Sequence, residues 1–170
     1  LPVVAVTSDV GMMGGRMAHE FMYLAPIGED SIFICDKSGE KANKEVARMA
    51  KPKPAEEAAK ALEKVSTPGT KTIEELAAFL QIDAAQTAKV VFYTAELIDE
   101  AEPVLVLALV RGDLEVNEVA VKNALQAKSM RAATEDEIRA TGCEPGYASP
   151  IGIEREGVKV LVDDLITTTP

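Results

Sequence analysis

The sequence predicts an α+β fold, a mixed sheet with flanking helices, and three observations carry that expectation. Residues 88–94 and 103–110 are Val-, Leu- and Phe-rich runs of strand length. A segment opening at Thr72 has Glu75 in the capping-box position and Ile73, Leu76, Ala77 and Leu80 at helical spacing. Strand-like and helix-like segments also follow one another in mixed order rather than as βαβ repeats, which favours a sheet with its helices on one face.

The chain opens directly in a strand-like run, Leu1-Pro2-Val3-Val4-Ala5-Val6, without an initiator Met, so it is expected to be a piece of something longer. Phe21-Met22-Tyr23-Leu24 and Ser31-Ile32-Phe33-Ile34-Cys35 follow, and apolar runs broken by Gly and Asp predict an antiparallel meander. Residues 42–50 change to helix formers, with Val46 and Met49 on one side, and end at Lys51-Pro52-Lys53-Pro54. Two prolines separated by one residue make a stiff, extended hinge. The expected domains are therefore residues 1–50 and 51–170.

Beyond the hinge, residues 55–62 predict a short Ala/Glu/Lys helix, and Pro68-Gly69 predicts a turn before the capped helix at Thr72. The acidic residues 96–102 read as a loop between the two apolar strands. Residues 117–126 read as a helix, Thr134-Glu135-Asp136-Glu137 as the start of another, and residues 158–162 as a strand. There is no internal repeat and no low-complexity tract.

Composition narrows the function. Lys and Arg number 18 against 28 Asp and Glu, a net charge of −10, which argues against an independent nucleic-acid binder because phosphate contacts need clustered cations. Cys35 and Cys143 lie too far apart in sequence for a zinc motif and too sparse for a disulfide scaffold, so a reducing compartment is expected. The longest apolar run, residues 104–110, is far below the roughly 20 residues of a membrane span, and no signal peptide precedes it. The expectation is a soluble, cytoplasmic protein with no membrane partner.

One histidine, with no HExxH and no Gly-x-Ser-x-Gly, takes zinc and triad hydrolases out of first consideration, and no metal site is expected. Gly11-Met12-Met13-Gly14-Gly15 lacks both the GxGxxG spacing and the Gly-Lys-Ser/Thr ending of nucleotide loops. His19-Glu20 is either a polar pair at a strand edge or a carboxylate and imidazole offered to a small polar ligand. Lys89 interrupts an apolar strand and shares a face with Val91 and Tyr93, so it either snorkels to solvent or directs a cation into a pocket. Gly146-Tyr147-Ala148-Ser149-Pro150 is either a surface turn or a loop presenting consecutive N–H groups to one oxygen. Arg111-Gly112-Asp113 and Asn117-Glu118 fit an ordinary turn with a local ion pair and a helix start.

The order of these segments resembles the bacterial-type prolyl-tRNA synthetases. Residues 13–21, Gly28-Glu29-Asp30 and residues 42–47 resemble the class II catalytic core just after motif 2. Residues 67–75, Thr87-Ala88-Lys89, residues 109–113, Asn117-Glu118-Val119, residues 133–138 and 146–150 resemble the editing domain inserted into that core. The resemblance implies antiparallel core strands in residues 1–50 and a deacylase-like editing domain from residue 51 onward. Such a domain hydrolyses alanine from tRNA specific for proline, because a pocket built for proline rejects a smaller side chain by only ~1–3 kcal/mol.

By the same resemblance Lys89, Gly146, Ala148, Ser149 and Pro150 are catalytic. Thr67, Arg111, Asp113 and Asn117 bind substrate, with His19 and Glu20 in the proline-pocket region. Editing needs no cofactor, whereas the full-length parent, a homodimer, takes ATP and Mg, proline and tRNA. Class II motifs 1, 2 and 3 are missing, which implies that this chain alone cannot aminoacylate. Ala120 stands where many relatives have Lys, Lys37-Ser38-Gly39 departs from a cysteine-containing version, and the chain stops before a later editing-domain segment carrying its own histidine. A non-catalytic module that positions tRNA or the synthetase core stays open, and the discriminating feature is whether Lys89 and the Gly146 loop converge on one pocket, as hydrolysis requires, or face opposite sides of the sheet, which would count against it.

Overall fold

The computed structural model describes residues 2–51, 58, 60–153 and 157–168. They form two compact units: Leu1–Ala50 with Asn117–Asn123, and Lys51–Val116 with Ala124–Pro170. The proline hinge lies outside the described residues, as does most of the helix expected at 55–62. Ala58 and residues 60–62 have no regular secondary structure.

The first unit holds β1 (Val3–Ser8), β2 (Ala18–Tyr23), β3 (Ile32–Ile34) and β4 (Lys41–Asn43) in the order β2-β1-β4-β3. β1 and β2 are antiparallel from Val3↔Tyr23 to Ser8↔Ala18, joined through a 3-10 turn at Gly11–Met13. β3 and β4 form a second antiparallel pair, but β4 lies parallel to β1 at Thr7↔Ala42. This corrects the expected meander. β3 does not add beside β2; instead the chain turns at residues 36–38 and returns β4 to the other edge of β1.

The helix expected over residues 42–50 is also corrected. Asn43 closes a single turn, with its backbone oxygen accepting from Val46 and Ala47 and its side chain accepting from the Glu45 amide. An Asx side chain that captures a nearby amide competes with helix propagation, and the approach to Pro52 disfavours helical backbone at Lys51.

The second unit holds α1 (Ile73–Leu80), β5 (Ala88–Leu97), β6 (Val104–Arg111), β7 (Ala127–Ala132), α3 (Glu135–Arg139), β8 (Val158–Val162) and α4 (Asp164–Thr168). α2 (Glu118–Leu125) begins in the Asn117–Asn123 stretch of the first unit and ends in the second. The sheet order is β7-β5-β6-β8, with β5 antiparallel to both β6 and β7, and β8 parallel to β6. β5 continues to Leu97, so the acidic loop is shorter than the sequence suggested.

Phe92, Leu107 and Leu109 form the core cluster, against which Val90, Ile138, Cys143 and Ala148 pack. Tyr93, Ala95, Val106 and Ala108, which alternate with the cluster residues along the same two strands, are buried as well. Burial on both faces explains why β5 and β6 read as unbroken apolar runs rather than as alternating ones. No helix among the described residues is long and apolar enough to cross a membrane.

Candidate functional site

A cavity of about 750 Å³ opens at the start of β5. One wall is α1, whose position is fixed by its N-terminus. The Thr72 hydroxyl accepts from the Glu75 amide at 3.1 Å, while Oε2 of Glu75 accepts from the amides of Thr72 and Lys71 at 3.1 and 2.8 Å. Those amides hold the Glu75 carboxyl below its ordinary range, the Lys71 amide contributing most. The predicted capping box is present in full.

Gly112 lines the cavity, and Thr87 lies directly behind it. The Gly112 amide donates to the Thr87 carbonyl at 2.8 Å, and the Thr87 hydroxyl donates to the Ala84 carbonyl at 2.8 Å. A Cβ on Gly112 would collide with the Thr87 hydroxyl and come within 2.8 Å of the Ala84 carbonyl oxygen. Glycine is required here for close approach.

The opposite wall is the glycine loop. The Tyr147 amide donates to the Glu144 carbonyl at 2.9 Å, closing a turn with Pro145 and Gly146 at its centre, and Gly146 has φ of +86°. That is the conformation of a type II turn, with Pro pre-set at the second position and Gly at the third. Among the described residues no protein acceptor engages the amides of Gly146 and Ala148, and both residues line the cavity.

Lys89, Gly146 and Ala148 therefore share one cavity. Strand alternation sets Lys89 on the face of Val91 and Tyr93, and Ala148 packs against the cluster on the other face. They nevertheless meet because the cavity wraps the start of β5, where β7 is absent: its ladder begins only at Tyr93↔Ala132.

Thr67 and Asp113 line the same cavity. Arg111, Ser149 and Pro150 are not among its lining residues. Arg111 is buried and held bidentately by Asp113, Nε to Oδ1 at 2.6 Å and a terminal nitrogen to Oδ2 at 2.7 Å. That pairing holds the Asp113 carboxyl below its ordinary range. The Ser149 hydroxyl accepts from the Ile151 amide at 3.2 Å.

His19, Glu20 and Asn117 belong to the other unit. His19 and Glu20 are exposed on β2. Asn117 caps α2, accepting from the Ala120 amide, and donates to the Glu45 carbonyl at 2.8 Å.

The cavity is also lined by Lys71, Glu74, Glu115 and Tyr147, which the sequence reading did not single out as site residues. Lys71, Glu74 and Tyr147 stand inside motifs already noted, so position within a motif was their signal. Glu115 follows the Arg-Gly-Asp turn with no signal of its own, yet its Oε1 accepts from Lys89 Nζ at 2.7 Å. Lys71 Nζ lies 5.9 Å from the centroid of the Tyr147 ring, joining the two walls by a cation–π contact. No group of three or more His, Cys, Asp or Glu side chains able to hold a metal occurs among the described residues.

A family model described as an aminoacyl-tRNA editing domain matches residues 67–170. Proline–tRNA ligase of Salinispora tropica is 48% identical over 172 residues, covering 99% of this chain and 29% of that protein. Proline–tRNA ligase of Bacillus subtilis is 46% identical over 167 residues, covering 97% of this chain and 28% of that protein. The chain thus spans under a third of the length of these relatives. The crystal structure of hypothetical protein APE2540 matches with a TM-score of 0.48 at 21% identity, over 56% of this chain and 60% of that one. The editing-domain match takes in the capped helix α1, the lysine strand β5 and the glycine loop alike, and the chain belongs to the aminoacyl-tRNA editing domain family.

Proposed function

We propose that residues 51–170 hydrolyse alanine from tRNA specific for proline. The observation that carries this reading is the convergence of Lys89 with Gly146 and Ala148 on one cavity in a chain of the editing family. A water oxygen attacks the ester carbonyl carbon. The developing oxyanion accepts from the amides of Gly146 and Ala148, donors held in place by the turn that Tyr147 closes. The carbon–oxygen bond to the ribose then breaks, the ribose oxygen takes a proton from the attacking water, and alanine leaves. Lys89 holds the 3′ terminus through an anionic or ribose oxygen, exchanging its bond to Glu115 for one to the RNA. Thr67 and Asp113 complete the binding surface, with Ser149 and Pro150 fixing the exit of the loop.

Residues 1–50 we assign to the catalytic core of a class II synthetase, on the ground that the proline–tRNA ligase matches extend over nearly the whole chain. In that reading His19 and Glu20 serve a proline pocket completed by the remainder of a cytoplasmic, homodimeric synthetase. ATP and Mg belong to aminoacylation there.

The test is deacylation of alanyl-tRNA specific for proline by this chain, its Lys89→Ala variant and a full-length parent enzyme, with prolyl-tRNA as control. Selective alanine release that Lys89→Ala abolishes supports the reading. A folded parent that releases no alanine overturns it in favour of a module that positions tRNA.

A further inference from the structure

Strand β5 is paired along most of its length on one side only. β6 covers it from Ala88 to Ala95, whereas β7 covers it from Tyr93 to Leu97. Two hydrogen bonds fix the direction of the uncovered groups. Gly112 donates to the Thr87 carbonyl, so residues 87, 89 and 91 turn their backbone groups toward β6. Ala133 donates to the Phe92 carbonyl at 3.0 Å, so residues 88, 90 and 92 turn theirs the other way. The carbonyl of Ala88 and the amide of Val90 therefore point out of the sheet edge where β7 is absent. No described residue bonds them, and both residues line the cavity. A bare edge on an open surface invites strand addition. This one is walled by α1 and the glycine loop, so it meets what enters the cavity.

We propose that this edge reads the adenine of the tRNA 3′-terminal adenosine, an inference that rests on the editing reading and names the base its site accepts. In an extended strand the carbonyl of one residue and the amide two residues on lie side by side. Adenine presents the matching pair on its Watson–Crick edge, an N6 amino donor for the Ala88 carbonyl and an N1 acceptor for the Val90 amide. Hypoxanthine and guanine present the reverse, an O6 acceptor and an N1–H donor, which sets acceptor against acceptor and donor against donor. A site built on such groups rejects the wrong partner strongly because its own polar atoms are then left unpaired. Ile138 and Tyr147, in the same lining, supply apolar and aromatic surface for the faces of the base.

The experiment leaves the protein unaltered, since replacing the Val90 amide by proline would endanger the strand. The 15N-labelled 170-residue chain is titrated with adenosine 5′-monophosphate and, separately, inosine 5′-monophosphate. The expected result is a shift of the Val90 amide resonance with the adenine nucleotide and an affinity about tenfold above that for the hypoxanthine nucleotide. Equal affinities, absence of binding, or shifts confined to the surroundings of Lys71 and Lys89 would overturn the proposal. Alanine release alongside equal affinities would sink adenine reading and leave editing standing. A tenfold preference in a chain whose full-length parent releases no alanine would do the opposite.

Discussion

Lys89 Nζ and Glu115 Oε1 are 2.7 Å apart, but the two side chains live in different surroundings: the lysine is 22% exposed and the glutamate 91%. A cation half withdrawn into a cavity is thus neutralised by a carboxylate that reaches in from solvent. Removing the carboxylate should cost the fold little, within about 1 kcal/mol, because exposed ion pairs contribute little to stability. It should instead release the lysine for an anion. Glu115→Gln is expected to bind inorganic phosphate several-fold more tightly than the unaltered chain at low ionic strength, with the gain shrinking at high salt. An unchanged affinity at low salt would show that phosphate does not meet Lys89.

The glycine loop makes a separate prediction. Gly146 has φ of +86° with open space where a Cβ would stand, so Gly146→Ala meets no clash and carries only backbone strain. That strain is about 1–2 kcal/mol. Asparagine tolerates positive φ better, so Gly146→Asn should recover part of the loss in urea unfolding. If the loop amides stabilise the oxyanion, alanine release should fall at least tenfold in Gly146→Ala, with the rate constant affected more than the apparent affinity for alanyl-tRNA. A variant that unfolds normally and edits normally would remove the loop from the chemistry.

Gly112 differs from Gly146 because its constraint is space. Gly112→Ala forces the new methyl group into the Thr87 hydroxyl and the Ala84 carbonyl, and Ile73 Cγ2 stands 3.0 Å away. Backbone cannot yield as a side chain does, so a loss of about 2–3 kcal/mol is expected in chemical denaturation. Thr87→Ala in the same chain removes the nearest of the three obstacles, and the double variant should be less destabilised than the sum of the singles. Additive losses would mean that the Ala84 carbonyl and Ile73 set the limit.

These residues also mark how far the sequence could be read. β5, β6, α1 and α3 were legible because burial on both faces leaves an apolar run and each helix begins with its own capping box. β7 was not: Ala127-Lys128-Ser129-Met130-Arg131-Ala132 contains no β-branched or aromatic residue. It is extended because β5 has an edge to fill from Tyr93 to Leu97, a demand set by tertiary structure. β4 and α4, at three and five residues, are too short for any period to show. In the site, Lys89 was legible as a charge inside an apolar strand. Glu115 looked like any polar turn residue, and the open edge at Ala88 and Val90 depends on strand register, which side-chain pattern alone does not specify.

α3 carries the pH dependence that can be assigned to one carboxylate. Glu137 accepts from both terminal nitrogens of Arg131, at 2.9 and 2.7 Å, and from the Thr134 amide at 2.7 Å. Arg131 first, and then the Thr134 amide, hold its carboxyl far below the usual carboxylate range. Arg131 lies on β7 and Ile138 follows Glu137 into the cavity wall, so this cluster ties the edge strand to the site. The sign of the linkage is fixed by the direction of the shift. A folded-state pKa below the unfolded value of about 4.3 means the contribution is fully present above that pH and is lost as the pH falls below it. Glu137→Gln keeps the shape but not the charge. It should be less stable than the unaltered chain at pH 6, and the gap should close progressively below about pH 4. Urea unfolding of both proteins between pH 3 and 7 measures the gap directly, and the difference cancels the carboxylates they share. Two parallel curves would mean that Arg131 pairs with Glu137 as strongly in the unfolded chain as in the folded one, or in neither.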